Sequence, residues 1–121
     1  MAIQQMPEAQ SAYDQSMASL AAAHAQLNAI ASAPQVDWIA YQAALNACNA
    51  LQQAAQSAQG VFQAAILDTP AVADLSAKLV ADTATMKART DALAATTNAL
   101  NDLTSVATDA GGILTALAHY I

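Results

Sequence analysis

The chain has few charged side chains and almost no positive ones. Charged residues make up 10% of its 121 residues, and three cations, Lys78, Lys87 and Arg89, stand against nine acids for a formal net charge of −6. A protein that binds nucleic acid needs a basic patch to neutralise phosphates. We therefore expect no nucleic-acid partner. Because little like-charge repulsion keeps copies apart, such a surface also favours association.

The sequence also lacks the residues that build strands and turns. Aromatics are 4% of the chain, and there are three glycines and three prolines. No segment alternates apolar and polar residues as a half-buried strand does. Alanine, the best helix former, supplies more than half of the 56% hydrophobic content. These features predict a single all-α domain over 1–121 with a thin core.

Proline and glycine positions divide this domain into an antiparallel bundle of three long helices. The predicted helices cover about 7–32, 35–67 and 70–109, and a short helical tail covers about 113–120. Pro7 and Pro34 each suit a first helical position, as does Pro70 after Thr69, which can cap the third helix. Gly111-Gly112 is expected to end that helix.

Helical spacing predicts the buried faces. On the first helix an apolar seam places His24 on the packed side, where a histidine hydrogen-bonded inside the bundle is favoured over a metal ligand. The members of this seam are Met6, Tyr13, Met17, Leu20, His24, Leu27, Ile30 and Ala31. The second helix carries Trp38, Tyr41, Leu45, Cys48 and Leu51 or Gln52 along one side.

The strongest pattern is a heptad in the third predicted helix. Ser76, Thr83, Thr90, Thr97 and Thr104 recur every seven residues, and Leu79, Met86, Leu93, Leu100 and Ala107 follow each by three. A threonine can be buried there because its hydroxyl can bond back to a carbonyl of the preceding turn. Two interpretations stay open, namely packing within one chain and a seam shared between subunits.

The residues of catalytic and metal sites are missing from the sequence. Glu8 is the one glutamate, so a di-metal carboxylate bundle is excluded. Cys48 is the one cysteine, and its simplest interpretation is a small core residue. His24 has no ligand partner three or four residues away. We expect no enzyme, no catalytic residue, no metal, no cofactor and no small-molecule substrate.

The segment from Trp38 to Leu67 contains thirty consecutive residues without a formal charge. It does not resemble a membrane span, because glutamine and asparagine amides lie throughout it and each would need a partner in lipid. The N-terminal residues show no cationic and apolar signal segment. We expect synthesis in the cytoplasm, and export by a signal-independent route stays open.

These features favour a structural or interaction protein that forms homo-oligomers or a larger assembly. Its expected contact residues are the heptad positions Thr83, Met86, Thr90, Leu93, Thr97, Leu100 and Thr104, together with Ile113, Leu114, Leu117 and Ile121 of the apolar tail. Two alternatives stay open. One is a membrane-active helical protein, and the other is a monomeric adaptor or inhibitor that binds one protein partner.

Overall fold

Four helices and one short ribbon make up the fold of the described residues. The computed structural model describes residues 3–93 and 96–121. Its helices are α1 (Pro7–Ala31), α2 (Trp38–Gln63), α3 (Pro70–Asp91) and α4 (Thr97–Ala118), and they pack against one another. The strands β1 (Ile3–Gln4) and β2 (Ile66–Leu67) pair in antiparallel fashion. The prediction of an all-α fold is confirmed. The expectation that the chain has no strand is wrong, because this short ribbon has two residues in each strand.

α1 and α3 begin at the residues that the sequence predicted. Pro7 is the first residue of α1, with Glu8 in the first turn near the positive end of the helix dipole. Thr69 caps α3, because its side-chain oxygen accepts a hydrogen bond of 3.2 Å from the Val72 amide, and Pro70 follows as the first helical residue. Both starts were predicted correctly.

The second helix is shorter than the predicted 35–67. Pro34 does not open it; instead, Asp37 caps it, accepting hydrogen bonds from the amides of Ile39 (3.1 Å) and Ala40 (3.2 Å). A carboxylate that satisfies two free amides fixes a helix start more strongly than a proline, which satisfies none. At its other end α2 passes through Gly60 and ends at Gln63, because the following backbone is needed for β2.

The prediction of one helix over 70–109 is wrong. α3 ends at Asp91 and α4 begins at Thr97, after Thr96 caps it by accepting a 3.3 Å hydrogen bond from the Ala99 amide. Residues 94 and 95 of the predicted helix lie outside the described residues. A single straight helix would leave the apolar face of residues 97–118 exposed to solvent. Folding α4 back against α3 and α2 buries it.

The predicted stop at Gly111-Gly112 and the separate tail over 113–120 are also wrong. Both glycines lie inside α4, and neither has a positive φ. Glycine costs about 1 kcal/mol in a helix interior. The fully buried Leu114 and Leu117 in the next turn outweigh that cost.

The helices form two antiparallel hairpins that lie side by side. α1 contacts α2 and α3, and α4 contacts α2 and α3, so α1 lies diagonally opposite α4. Ser16 contacts Met86, and Ser19 contacts Thr90. The residue number rises on both helices from the first contact to the second, so α1 and α3 run parallel. The bundle is thus antiparallel within each hairpin and parallel between α1 and α3. We refer to these two helices as the α1–α3 layer.

The buried face of α1 consists mainly of small residues, and the predicted seam is correct only in part, since Met6 and Ile30 are buried and its other large residues lie beside that face. Its buried members are Ala9, Ala12, Ser16, Ser19, Ala23 and Ile30. His24 is exposed and Met17 is 44% exposed, so the placement of His24 on the packed side is wrong. Small side chains let helix axes approach closely, so larger residues of the seam lie along the edges of the contact. Tyr13, for instance, is half-buried and stacks edge-on against Phe62, with ring centroids 5.3 Å apart.

The remaining core follows the same rule on α2. This helix buries ten residues, and seven of them are alanine. Aliphatic volume comes from a few fully buried side chains, which include Leu51, Leu79, Leu103 and Leu114. Trp38, on the predicted side of this helix, is 70% exposed, and Gln52 is exposed. Alanine is therefore the main contact surface of the bundle, and several larger apolar groups lie outside.

Candidate interaction surface

The heptad residues pack within the single chain. Met86 and Leu100 are fully buried in the core, and the remaining positions Thr83, Thr90, Leu93, Thr97 and Thr104 are half-buried. Three of these residues lie on α3, three lie on α4, which packs against it, and Leu93 lies between the two helices. Most of this surface is therefore covered by the chain itself, although Thr83 also lines a groove on the outside of the bundle. Of the two interpretations of the heptad, packing within one chain fits this placement.

The tail residues divide between core and surface. Leu114 and Leu117 are fully buried in α4, and Ile113 is half-buried. Ile121 is 58% exposed and lies beside Ile3 of the ribbon, which is 64% exposed. The two isoleucines form a small apolar end, and the rest of the predicted tail belongs to the core.

Three threonines of the heptad bond back to their own helix as predicted. Thr83 donates to the Leu79 carbonyl at 2.7 Å, Thr90 to the Met86 carbonyl at 2.8 Å, and Thr104 to the Leu100 carbonyl at 2.8 Å. Each hydroxyl proton is thereby held by its own helix, and the methyl group is free to pack.

A chain of hydrogen bonds fixes the register of α1 against α3. The Thr90 hydroxyl gives its proton to the Met86 carbonyl, so in the 2.7 Å contact between Ser19 and Thr90 the serine must be the donor. Ser19 in turn accepts from the Gln15 amide at 2.9 Å. Ser19 is fully buried, yet its hydroxyl both donates and accepts, so it carries no desolvation penalty from a missing partner.

A groove runs along the outside of the α1–α3 layer. It encloses about 350 Å³ and is lined by Pro7, Glu8, Ser11, Gln15, Val80, Thr83, Ala84 and Lys87. Val80 is 51% exposed in it. A second cavity, which shares Glu8 and Val80, continues the depression toward Val72. The lining of the first cavity is mostly small or apolar, with Glu8 and Lys87 as its charged side chains, and Asp68 adds a second acid in the continuation.

A second apolar feature lies at the end of the bundle where α2 begins. Trp38 is 70% exposed and Ile39 is 72% exposed. The Trp38 ring contacts Tyr41 edge-on at a centroid distance of 5.6 Å, which leaves most of the indole outside. Exposed tryptophan is uncommon away from interaction sites, where it is enriched.

The histidines and the cysteine differ in their exposure. Both histidines, His24 and His119, are exposed. Cys48 is a buried free cysteine, as expected of a small core residue, and its burial raises the pKa of the thiol. A thiol with a raised pKa is a poor nucleophile, since the thiolate is the reactive form.

Asp82 is the one carboxyl whose environment clearly disfavours its charge among the described residues. Burial, and secondly the negative charge of Asp109 on the facing helix, raise the pKa of Asp82. Its Oδ2 atom is buried and has no hydrogen-bond partner. This position costs stability at neutral pH.

Neither a metal cluster nor a membrane span is found within residues 3–93 and 96–121. No group of three or more His, Cys, Asp or Glu side chains in that range could hold a metal ion. No helix in it is long and apolar enough to cross a bilayer. Comparison of the chain with protein-family models, with curated proteins and with solved structures finds no match.

The sequence patterns predicted a contact surface at the heptad and did not predict the groove. A signal for it is present in α3, where Ala73, Ala77, Val80, Ala84 and Lys87 are spaced as one face of a helix. Lacking large residues, that face is not conspicuous in a sequence so rich in alanine. Only the packing of α1 beside it makes it one wall of a groove.

Proposed function

We propose that this protein is a non-enzymatic structural or interaction protein that associates with copies of itself through low-charge helical faces. One observation carries the proposal: the bundle packs small residues inside and leaves large apolar side chains, Trp38 and Ile39 above all, more than two-thirds exposed. In a monomer these apolar side chains stay in contact with water and contribute no hydrophobic stabilisation.

The sparse charge supports the same proposal. Charged residues are 10% of the chain, well below the roughly 25% of an average soluble domain. The exposed positions are largely Ala, Gln, Asn, Ser and Thr. Burial of such a surface against a second copy removes few charges from water, so the desolvation cost of association is low.

Thermal unfolding at several protein concentrations tests the proposal. Association stabilises the folded chain by mass action, so Tm is expected to rise as concentration rises from the low micromolar to the millimolar range. A Tm that is independent of concentration over that range, together with a monomeric mass by light scattering, would refute self-association.

The same samples test the membrane-active alternative. Trp38 is the only tryptophan, so its emission reports the environment of this apolar end. We expect its emission to stay unchanged when neutral or anionic vesicles are added, because a net charge of −6 gives no attraction to anionic lipid. A blue shift with vesicle leakage would instead support the membrane alternative and count against our proposal.

A further inference from the structure

We infer that the groove of the α1–α3 layer is the contact surface for a second copy of this chain, arranged antiparallel about a two-fold axis. This inference rests on the proposed self-association and names one surface for it, which is separate from the exposed end at Trp38 and Ile39. Three properties of the groove support it: where its charges lie, where Val80 lies between them, and how much area the layer offers.

The two charges lie near opposite ends of the groove. The contacts between Ser16 and Met86 and between Ser19 and Thr90 set an offset of about seventy residues between the parallel helices. Glu8 is then level with residues 78–79, near the middle of α3, and it lines the second cavity together with Ser76 and Ala77. Lys87 lies eight to nine residues further along, roughly 13 Å at a rise of 1.5 Å per residue.

This separation is self-complementary. A second copy, rotated by 180° about an axis that lies in the interface at right angles to the helices, reverses the direction of its groove. Its Lys87 then lies at the height of the first copy's Glu8, and its Glu8 at the height of the first copy's Lys87. One rotation thus brings both pairs of opposite charges to the same height, on helices one helix spacing apart across the groove. The opposite, parallel arrangement would place like charges at the same height.

The apolar residues fit the same arrangement. The point midway between the two charges falls near Thr83, and Val80 and Ala84 lie on either side of it. After the rotation, Val80 of one copy enters the space between Ala84 and Lys87 of the other, as a ridge enters a groove. Thr83 bonds to the Leu79 carbonyl of its own helix, so its hydroxyl needs no partner from the second copy.

The other cations on α3 do not oppose this contact. Lys78 and Arg89 are exposed, and helical spacing places both about half a turn away from Val80. Lys87 is the one cation that lines the groove. Lys78 therefore offers a matched control for a change of charge on the same helix.

The available area suits a weak dimer. α3 has 22 residues, a length of about 33 Å. Two neighbouring helices, each about 9 Å wide, make a layer about 18 Å across, so it offers roughly 600 Å² per copy, near the lower limit for a specific interface. A contact of this size is sensitive to single substitutions at its centre.

The test measures the dissociation constant of four proteins by sedimentation: the wild type, Lys87→Glu, the double variant Glu8→Lys with Lys87→Glu, and Lys78→Glu. Lys87→Glu places two acids together at both symmetric contacts, so it is expected to weaken association about tenfold or more. The double variant restores attraction with the signs reversed, and Lys78→Glu has no effect beyond the general change in net charge. Recovery in the double variant shows that the single variant did not fail by unfolding.

A disulfide provides an independent readout. In a Cys48→Ala background, Ala84→Cys lies next to the axis and is expected to form a disulfide-linked dimer on mild oxidation. Ser105→Cys, exposed on α4 away from this layer, is expected to stay monomeric. The outcomes separate the two proposals. If the wild type associates but Lys87→Glu matches it and Ala84→Cys does not cross-link, the groove is wrong while self-association stands. If the wild type is monomeric at all concentrations, both are wrong.

Discussion

Replacing one buried alanine of α1 by leucine tests whether alanine is the contact surface of this bundle. Ala23 is fully buried in the core, whereas Ala25, two residues along the same helix, is exposed. The same substitution at both positions changes helix propensity equally, and it differs in what the added side chain meets. Ala23→Leu must place three extra carbon atoms between helices that are in contact, and Ala25→Leu places them in solvent.

Overpacking of this kind costs about 1–3 kcal/mol, while exposed substitutions usually stay within about 0.5 kcal/mol. For a chain of this size, 1 kcal/mol lowers Tm by roughly 4 °C. We therefore expect Ala23→Leu to lower Tm by about 4–12 °C and Ala25→Leu to lower it by no more than about 2 °C. Circular dichroism at fixed concentration, with urea unfolding as a second measure, gives both values. Equal effects at the two sites would refute the account of close packing through small residues.

Three further predictions concern single positions. Gly112→Ala should stabilise the protein by about 0.5–1 kcal/mol, because a Cβ there meets nothing within 4 Å and glycine is unfavourable in a helix interior; a loss of stability would show that this part of α4 needs glycine. Asp82→Asn should raise Tm at neutral pH by removing a charge that burial and Asp109 disfavour, with a gain of a few tenths to about 1 kcal/mol. Because the folded-state pKa of this carboxyl lies above its unfolded value, its protonation stabilises the fold, so the gain should shrink as pH falls through the folded pKa; Asp102→Asn, on an exposed residue, is the control, and an equal gain from both would contradict this cause. Cys48 should react slowly with a thiol reagent in the native protein and rapidly in denaturant, and fast native labelling would show that α2 opens readily.

The sequence was sufficient to predict helices whose ends carry local chemistry. Thr69 and Pro70 begin α3 as expected, and Pro7 begins α1. These signals act within one turn of the backbone, through a side-chain oxygen or a fixed φ, so they do not depend on the rest of the fold. The all-helical class followed from composition in the same way.

The sequence was not sufficient where packing decides. No glycine or proline marks the break between Asp91 and Thr97, and the break exists because α4 gains contacts by folding back. The same contacts carry α4 through Gly111 and Gly112. In both places tertiary burial outweighs a local propensity of about 1 kcal/mol.

The faces of the helices were harder to predict than their ends. The spacing of large residues on α1 predicts that Met17 and His24 are packed, but most of the buried face is the row of alanine and serine beside them. Alanine has a low rank on hydrophobicity scales, so its spacing does not distinguish a buried helix face from an exposed one. For the same reason the sequence predicts the heptad but not the groove around Val80.

The mass of the wild-type protein in solution, measured by sedimentation equilibrium over a wide concentration range, tests the central claim most directly. The account predicts a reversible equilibrium in which the mass rises from the 12.3 kDa of one chain toward twice that value as concentration increases. A mass that stays at 12.3 kDa up to millimolar concentration would contradict it.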